Sequence, residues 1–489
     1  MTRVLLVGLL LFVLAFALFS YKLTSVPDGL TGDEGAFGLN AVLLSRNLHD
    51  ENDRFLPVFV LSLEGKDWRQ PVMQYYFTLM FWLFGASLGI IKMSSAAYMG
   101  ISAVLVFYLA SKLLTKKYSF VAYFVFITSP IVVIHSHLAL DNHAPIPFVV
   151  LWLIFLLDYT KHKRLVSLVC AGVFLGISFY AHKSMRSFTP VWSILTCLFL
   201  VKDVFWGTIH GWTKRLKPLL AFCLGLLPFF AVIPLLEYKY AGAIFGNQVA
   251  SPTIYQFFTS YLASFDPSFL FVTGDTLLYH STGIHGMFLL ALLPLSLAGI
   301  YIAVRNGKFW LFLLAAFVFG PLLIGMTGSY HRASRLMALS PIFSLLVAFG
   351  LKNLREVKYK WVVSRLVTGI LVLLVIVNGY DFFRYYWTSY SPATKNIFWS
   401  TEIDKSFKLL RAESEKRHLT PYIDYEITAN QNSITRFLQT IYFIQAPAVW
   451  KTSLSALPKG SVILTPSQNA DILQKIYTDL PFGHAIYIK

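Results

Sequence analysis

Two sets of carboxylates in polar segments of this sequence could transfer protons. Asp33 and Glu34 are adjacent, and Asp141 comes much later in the chain. A carboxylate can accept the proton of a hydroxyl group as that hydroxyl attacks a substrate. We expect Asp33 to be the general base, Glu34 to orient it, and Asp141 to orient the acceptor or a metal. The structural alternatives are an exposed loop pair or a helix N-cap for Asp33 and Glu34, and a cap of the helix that starts near Ala144 for Asp141.

Cationic and imidazole side chains in other polar segments could hold a phosphate leaving group or the acceptor. Cations stabilise the charge that develops on such a group, and arginine makes paired contacts with phosphate oxygens. The alternative for arginine and lysine is that their charged ends only reach toward lipid headgroups. The candidates are Lys66, Arg69, Lys183, Arg186, His280, His285, Arg332 and Arg335.

One segment combines imidazole and carboxylate groups that could suit a metal. It holds His135, His137, Asp141 and His143, and such ligands suit zinc or manganese. The alternative is that these side chains are polar groups at a helix end in the membrane interface. We therefore predict no dedicated metal site, and a divalent cation stays open as a cofactor.

These residues are set in a very apolar chain. Of its 489 residues, 56% are hydrophobic and 13% are charged, whereas soluble proteins average about 25% charged residues. Many apolar stretches are long enough to cross a hydrocarbon core of about 30 Å. The composition excludes a disordered chain, a coiled coil and an ordinary cytosolic enzyme. It predicts an all-α polytopic membrane protein.

The charge distribution predicts the topology. Twelve apolar blocks are separated by polar segments, and most of the basic residues fall in short clusters between the blocks, which is typical of cytoplasmic loops. The net charge of +17 therefore does not indicate nucleic-acid binding. The blocks cover residues 4–20, 71–90, 94–111, 118–136, 144–159, 165–181, 187–201, 218–236, 287–304, 309–326, 336–351 and 361–380.

All of these clusters lie on the cytoplasmic side only if the block 71–90 does not cross the membrane. We therefore expect eleven spans, a cytoplasmic N-terminus and an amphipathic helix over 71–90 in the outer interface. The first block lacks a signal-peptide cleavage pattern and is read as an uncleaved span. The clustered basic residues are Lys112, Lys116, Lys117, Lys161, Lys163, Arg164, Lys202, Lys214, Arg215, Lys217, Arg305, Lys308, Lys352, Arg355, Lys358, Lys360 and Arg365.

The last part of the chain has ordinary polarity. Its segments Tyr422–Thr428, Ser461–Pro466 and His484–Lys489 have β-type patterns. We predict a transmembrane module over 1–380 and a small extracytoplasmic α/β domain over 381–489. The carboxylates would then lie outside the cytoplasm, where a sugar arrives on a lipid carrier rather than on a nucleotide.

Residues 27–41, PDGLTGDEGAFGLNA, contain an Asp-Glu pair after the first span. They are similar to the first outer loop of the GT-C membrane glycosyltransferases, in the bacterial family-39-like branch of protein O-mannosyltransferases and aminoarabinose transferases. Residues 69–76, RQPVMQYY, look like the passage from that loop into the next helix. Leu140-Asp141-Asn142 resembles the second acidic loop, and 265–286 resembles the fourth loop.

The resemblance implies a GT-C fold and a polyprenyl-phosphate sugar donor, with inversion at the anomeric carbon. It leaves open whether a hexose or a pentose is transferred. The WWDYG-type motif of oligosaccharyltransferases and the MIR domain of O-mannosyltransferases do not occur, so the acceptor stays open between a lipid-linked glycan, a polysaccharide and a protein. The alternatives are a multi-pass transporter or lipid flippase, whose ionisable groups belong near the midplane, and a non-catalytic scaffold.

Overall fold

The computed structural model describes most of the chain. The described residues are 2–205, 212–246, 251–305, 307–328, 330–356, 361–398, 402–429, 432–443, 445, 447–466, 473–480 and 483–489. Lys358 and Lys360 of the predicted cytoplasmic clusters lie outside them.

Helices dominate the described residues, and most of them coincide with the apolar blocks. In chain order they are α1 (Thr2–Ser20), α2 (Gly32–Asn47), α3 (Pro71–Phe84), α4 (Leu88–Leu113), α5 (Lys116–Thr128), α6 (Pro130–Ser136), α7 (Ile146–His162), α8 (Leu165–Phe179), α9 (Met185–Phe205), α10 (Trp212–Ala231), α11 (Ile233–Lys239), α12 (Ile254–Ala263), α13 (Pro267–Phe271), α14 (Leu293–Arg305), α15 (Lys308–Phe319), α16 (Ala333–Leu336), α17 (Ser340–Glu356), α18 (Trp361–Thr388), α19 (Tyr390–Ala393), α20 (Glu402–Arg417), α21 (Tyr425–Ala429) and α22 (Asn432–Tyr442). Short 3₁₀ segments cover Leu290–Leu292, Gly320–Thr327, Met337–Leu339 and Leu454–Ala456.

Five helical segments of the described chain are long and apolar enough to cross a membrane. They are Leu88–Leu113, Leu216–Lys239, Phe309–Thr327, Ala333–Arg355 and Arg365–Thr388. A sixth candidate is the pair α5 and α6, which is bent by 60° at Ser129. The remaining apolar helices are shorter. The chain therefore has the helices of a multi-pass membrane protein, as the composition predicted, while the number of eleven spans stays a prediction.

The predicted block 71–90 is divided in the structure. Helix α3 begins at Pro71, as expected for a proline at the first helical position, and ends at Gly85, whose φ is +82°. Its 14 residues rise by about 21 Å at 1.5 Å per residue, less than the hydrocarbon thickness of about 30 Å. Helix α4 then starts at Leu88.

The chain divides into two compact units, and the first contains most of the apolar helices. It comprises Met1–Tyr21, Ser95–His137 and Asp141–Thr388. Helices α8 and α10 pack so closely that a Cβ added at Gly225 would lie 2.0 Å from the Val169 carbonyl oxygen. Helices α14 and α17 pack in the same way, since a Cβ added at Gly299 would lie 2.0 Å from the carbonyl oxygen of Leu346. Small residues permit this approach between membrane helices.

The second unit combines polar segments with two small sheets. It comprises Lys22–Ser94, Leu138–Leu140 and Ser389–Lys489. The antiparallel strands β1 (Val60–Ser62) and β2 (Asp67–Arg69) form a hairpin. The second sheet has the order β4-β3-β5-β7-β6. Its strands are β3 (Thr420–Asp424), β4 (Ala448–Trp450), β5 (Ser461–Thr465), β6 (Gln474–Leu480) and β7 (His484–Ile488).

The C-terminal sheet includes the three segments that the sequence marked as β-type. Strands β5 and β7 run antiparallel and coincide with two of them, whereas Tyr422–Thr428 is strand only as far as Asp424 and continues as helix α21. Ile463 and Tyr487 contribute to a buried apolar cluster of this sheet. The domain boundary at residue 380 stays a prediction.

Candidate functional site

Glu34 closes the first turn of helix α2 in the second unit. Thr31 is the N-cap residue, its hydroxyl accepts the Glu34 N–H at 3.2 Å, and Glu34 Oε2 accepts the Thr31 N–H at 2.8 Å. This reciprocal pair is a capping box, and it follows from a threonine and a glutamate three residues apart. The alternative that this carboxylate caps a helix is therefore confirmed for Glu34 Oε2.

The other oxygen of Glu34 is also occupied. Oε1 accepts the Ala139 N–H at 2.8 Å, and the side chain is completely buried. Burial raises the pKa of Glu34, opposed by the charge of Lys92 and by the backbone donors. Lys92 is itself buried and donates to the Pro27 carbonyl at 3.2 Å. These contacts fit Glu34 for holding the loop rather than for meeting a substrate.

Asp33 faces a different environment from its neighbour. Its side chain is 45% exposed, and Oδ1 accepts a hydrogen bond from Arg69 Nη2 at 2.7 Å. Among the described residues, Arg69 is the one hydrogen-bond partner of this carboxylate, so Oδ2 is open to an incoming group. Asp33 is thus the member of the pair whose carboxylate is accessible.

The structure places Arg69 as a support for Asp33. Its side chain is 5% exposed, and Nε donates to Ser62 Oγ at 2.7 Å across the β1–β2 hairpin. The guanidinium also lies 5.2 Å from the centre of the Phe37 ring. Lys66, the other candidate in this segment, forms an exposed pair with Glu64 at 3.3 Å and is not part of this arrangement.

In the first unit, Asp141 lies beside a histidine that the sequence analysis did not single out. Helix α7 has Pro145 as its N-cap residue, without a side-chain cap, so the alternative that Asp141 caps this helix is wrong. Its Oδ1 lies 3.9 Å from His182 Nε2. His182 Nδ1 accepts the Ser184 N–H at 3.3 Å, so in the neutral ring the proton is on Nε2, toward Asp141.

Three of the predicted cations act on this same histidine. Burial lowers the pKa of His182 well below its ordinary value, and the charges of Lys183, Arg335 and Arg186 lower it further. These residues come from two segments far apart in the sequence, and the fold brings them together. No spacing pattern marks His182, although it directly precedes the predicted Lys183.

The segment that carries Arg332 and Arg335 is fixed by a buried aspartate. Asp275 Oδ1 accepts the Leu277 N–H at 2.9 Å, and Oδ2 accepts the Ala333 N–H at 2.6 Å. Burial raises the pKa of Asp275, opposed by these two donors and by the charge of Arg332. Arg332 Nη1 lies 3.7 Å from Oδ1. The sequence did not mark Asp275 as a site residue, although it lies in the segment 265–286 that resembles the fourth loop.

The predicted histidines have different surroundings. His280 Nδ1 is 2.9 Å from His135 Nε2, with the two rings stacked. His285 Nε2 lies 3.2 Å from Asp381 Oδ2; burial lowers the pKa of His285, and Asp381 opposes this. His280 therefore lies beside His135 and under the influence of the Arg332 charge, whereas His285 is held by Asp381 of helix α18.

The segment 135–143, which was considered for a metal, does not form a metal site. His135 faces His280, and His143 Nε2 lies 3.1 Å from Ser95 Oγ. Within the described part of the chain, no group of three or more histidine, cysteine, aspartate or glutamate side chains is arranged to hold a metal ion.

Solved structures of two transferases have a similar fold. ArnT from Cupriavidus metallidurans, bound to undecaprenyl phosphate, superposes with a TM-score of 0.58 at 9% identity, covering 98% of this chain and 97% of that one. The chain has the fold of these proteins. The Archaeoglobus fulgidus oligosaccharyltransferase in its apo form gives a TM-score of 0.53 at 13% identity, covering 90% and 64%.

The same archaeal enzyme, AglB, in complex with an inhibitory peptide and a dolichol-phosphate gives a TM-score of 0.52 at 11% identity, again covering 90% and 64%. No family model and no curated protein matches the sequence. The predicted resemblance to GT-C transferases is therefore confirmed as a likeness of fold.

Proposed function

We propose that this protein transfers a hexose or a pentose from a polyprenyl-phosphate donor to an acceptor hydroxyl, with inversion at the anomeric carbon. The observation that carries the proposal is the carboxylate of Asp33. One of its oxygens is fixed by the buried Arg69, and the side chain is 45% exposed. A positioned and accessible carboxylate is what a general base requires.

In the proposed reaction, Asp33 Oδ2 accepts the proton of the acceptor hydroxyl. The acceptor oxygen forms a bond with the anomeric carbon, and the bond from that carbon to the phosphate oxygen breaks. The lipid phosphate leaves with the electron pair of that bond. Because the attack comes from the face opposite the leaving group, a single displacement inverts the anomeric configuration.

The departing phosphate would be stabilised by the cations of the first unit. Lys183, Arg186 and Arg335 act electrostatically on one buried histidine, and Arg332 is held beside Asp275. Fixed cations of this kind stabilise developing phosphate charge without reorganising during the reaction. The undecaprenyl phosphate bound to ArnT and the dolichol-phosphate bound to AglB support a polyprenyl phosphate as the carrier.

The chemistry is proposed for the outer face of the cell membrane, in a protein of eleven spans with a cytoplasmic N-terminus. The shortness of helix α3 supports an interfacial position for residues 71–90, as does the exposure of Trp82 and Phe84, since such side chains suit the membrane interface. The transmembrane module would cover 1–380, and the domain over 381–489 would lie outside the cytoplasm.

A reconstitution tests this proposal. Purified protein in nanodiscs is incubated with a panel of undecaprenyl-phosphate sugars and, in turn, with a lipid-linked glycan, a polysaccharide and a protein as acceptor. We expect one combination to release undecaprenyl phosphate and to yield a glycosylated acceptor of inverted configuration. If labelled sugar lipid crosses the bilayer intact instead, a flippase is the better description.

A further inference from the structure

A pair of histidines in the first unit has a fixed pattern of hydrogen-bond donors and acceptors. His135 is completely buried, and its Nδ1 lies 3.0 Å from the Ile131 carbonyl oxygen. Its Nε2 lies 2.9 Å from His280 Nδ1. His280 comes from the loop after helix α13 and is 7% exposed.

This geometry determines which nitrogens carry protons. A carbonyl oxygen can only accept, so His135 Nδ1 donates to Ile131, and in the neutral ring His135 Nε2 is an acceptor. His280 Nδ1 must then donate to His135 Nε2. The second nitrogen of a neutral His280, Nε2, is left with a lone pair and no proton, and no described residue donates a hydrogen bond to it.

The surroundings keep His280 neutral. Burial lowers its pKa well below the ordinary value, and the charge of Arg332 lowers it further. The lone pair of Nε2 therefore belongs to a neutral ring on which the charge of Arg332 acts. Such an acceptor is unusual in a group of residues that suits an anion.

The chemistry of the proposed donor explains why cations and a hydrogen-bond acceptor occur in one group of residues. A sugar linked to a polyprenyl phosphate is a phosphodiester, which at neutral pH has a negative charge and no proton. Cations can hold it, but a lone pair cannot. The part of the donor that does have protons to share is the sugar, through its hydroxyl groups.

We infer that His280 Nε2 accepts a hydrogen bond from a sugar hydroxyl of the donor, and that it selects sugars in which this hydroxyl is free. His135 is then a positioning residue that holds the ring of His280 in this orientation. The inference rests on the proposed function and adds to it a recognition element for the sugar, separate from the cations that bind the phosphate.

Binding measurements separate the two parts of the donor. The full-length protein in nanodiscs is titrated with undecaprenyl phosphate and with a panel of undecaprenyl-phosphate monosaccharides. We expect His280→Phe, which keeps the ring but has no nitrogen, to reduce affinity for the best sugar-linked lipid by about 10-fold, as expected for a hydroxyl left without its partner. Affinity for undecaprenyl phosphate should be unchanged. The control is His162→Phe, at an exposed histidine paired with Asp158, and it should change neither.

Deoxyfluoro donors test the same contact without altering the protein, because fluorine cannot donate a hydrogen bond. Replacement of one particular hydroxyl should weaken binding to the wild type by about 10-fold and to His280→Phe very little. The inference is overturned if His280→Phe keeps the full preference for the sugar-linked lipid, or if no single replacement affects the wild type. If lipid phosphate is released normally in either case, the proposed transfer stands and only the role of His280 fails. If no sugar-linked lipid binds more tightly than undecaprenyl phosphate and none is turned over, both fail.

Discussion

Arg69 Nη2 donates to Asp33 Oδ1 across 2.7 Å, with the arginine buried and the aspartate half exposed. The buried partner is itself anchored by Ser62 Oγ at 2.7 Å. Asp33 Oδ1 is therefore held by a buried, anchored arginine, while Oδ2 is open. The sequence predicted Arg69 as a substrate ligand, and the structure favours a positioning role.

The positioning role can be tested by coupling between the two residues. Arg69→Ala should lower kcat by about 10²-fold, because a misplacement of about 1 Å can cost that much. The double variant Asp33→Asn/Arg69→Ala should be no slower than Asp33→Asn alone, since both changes disable the same base. Steady-state kinetics of lipid-phosphate release measure this. Additive losses would mean that Arg69 acts on the substrate by itself.

The cations of the first unit should act on the donor. Arg186→Ala and Arg335→Ala should each weaken donor use by about 10- to 150-fold, the cost of a lost hydrogen bond to a charged group. Lysine at either position should restore only part of the lost donor use, because a point charge lacks the paired contacts of guanidinium. The control is Arg411→Ala, which breaks an exposed pair with Glu415. Unchanged donor KM and kcat in both alanine variants would remove these arginines from the site.

Acid should destabilise the protein through buried histidines outside the membrane spans. Burial lowers the pKa of His143 to about 3, and burial with nearby cations lowers the pKa of His182 well below its ordinary value. Below pH 6.5 the unfolded chain then binds more protons than the folded one, so stability falls as the pH falls, by up to about 1.4 kcal/mol per pH unit for each group.

Thermal unfolding midpoints between pH 7.5 and 5 measure this dependence. The midpoint should decline below about pH 6.5, and His182→Asn should flatten the decline. The exposed His162→Asn serves as the control. An unchanged slope in His182→Asn would show that this imidazole is already charged in the folded protein.

Cysteine labelling tests the topology. In a chain with Cys170, Cys197 and Cys223 replaced by alanine, Ser111→Cys and Thr160→Cys should resist an impermeant thiol reagent added to intact cells. Lys66→Cys should react, because its loop is proposed to face outward and its side chain is 77% exposed. Labelling of position 111 or 160 from outside would contradict the proposed orientation in the membrane.

The helical membrane architecture could be predicted because it depends on composition and block length, which are local properties. The start of helix α3 at Pro71 was equally local. The end of that helix was not: the apolar block continues to Ile90, but the chain turns at Gly85. A left-handed glycine conformation is not visible in hydropathy.

The candidate site could be predicted only in part. Asp33 and Glu34 are adjacent and look equivalent in sequence. In the structure Asp33 is half exposed, whereas Glu34 is buried and accepts a hydrogen bond from the N–H of Ala139, a residue far along the chain. His182 and Asp275 were missed because their importance comes from partners in distant segments. Burial and long-range hydrogen bonds of this kind have no sequence spacing.

The most direct test of the account compares lipid-phosphate release by Asp33→Asn, Glu34→Gln and Asp53→Asn, under conditions in which the wild type is active. Asp33→Asn should lower kcat by about 10²–10⁴-fold, the usual contribution of a general base, with undecaprenyl phosphate binding retained. Glu34→Gln should be milder in kcat per folded molecule. Asp53→Asn is the control, because Asp53 lies in a loop with φ +57°, which asparagine tolerates. If Asp33→Asn keeps full turnover, the catalytic role of this carboxylate is contradicted, and if the two severities are reversed, Glu34 is the base.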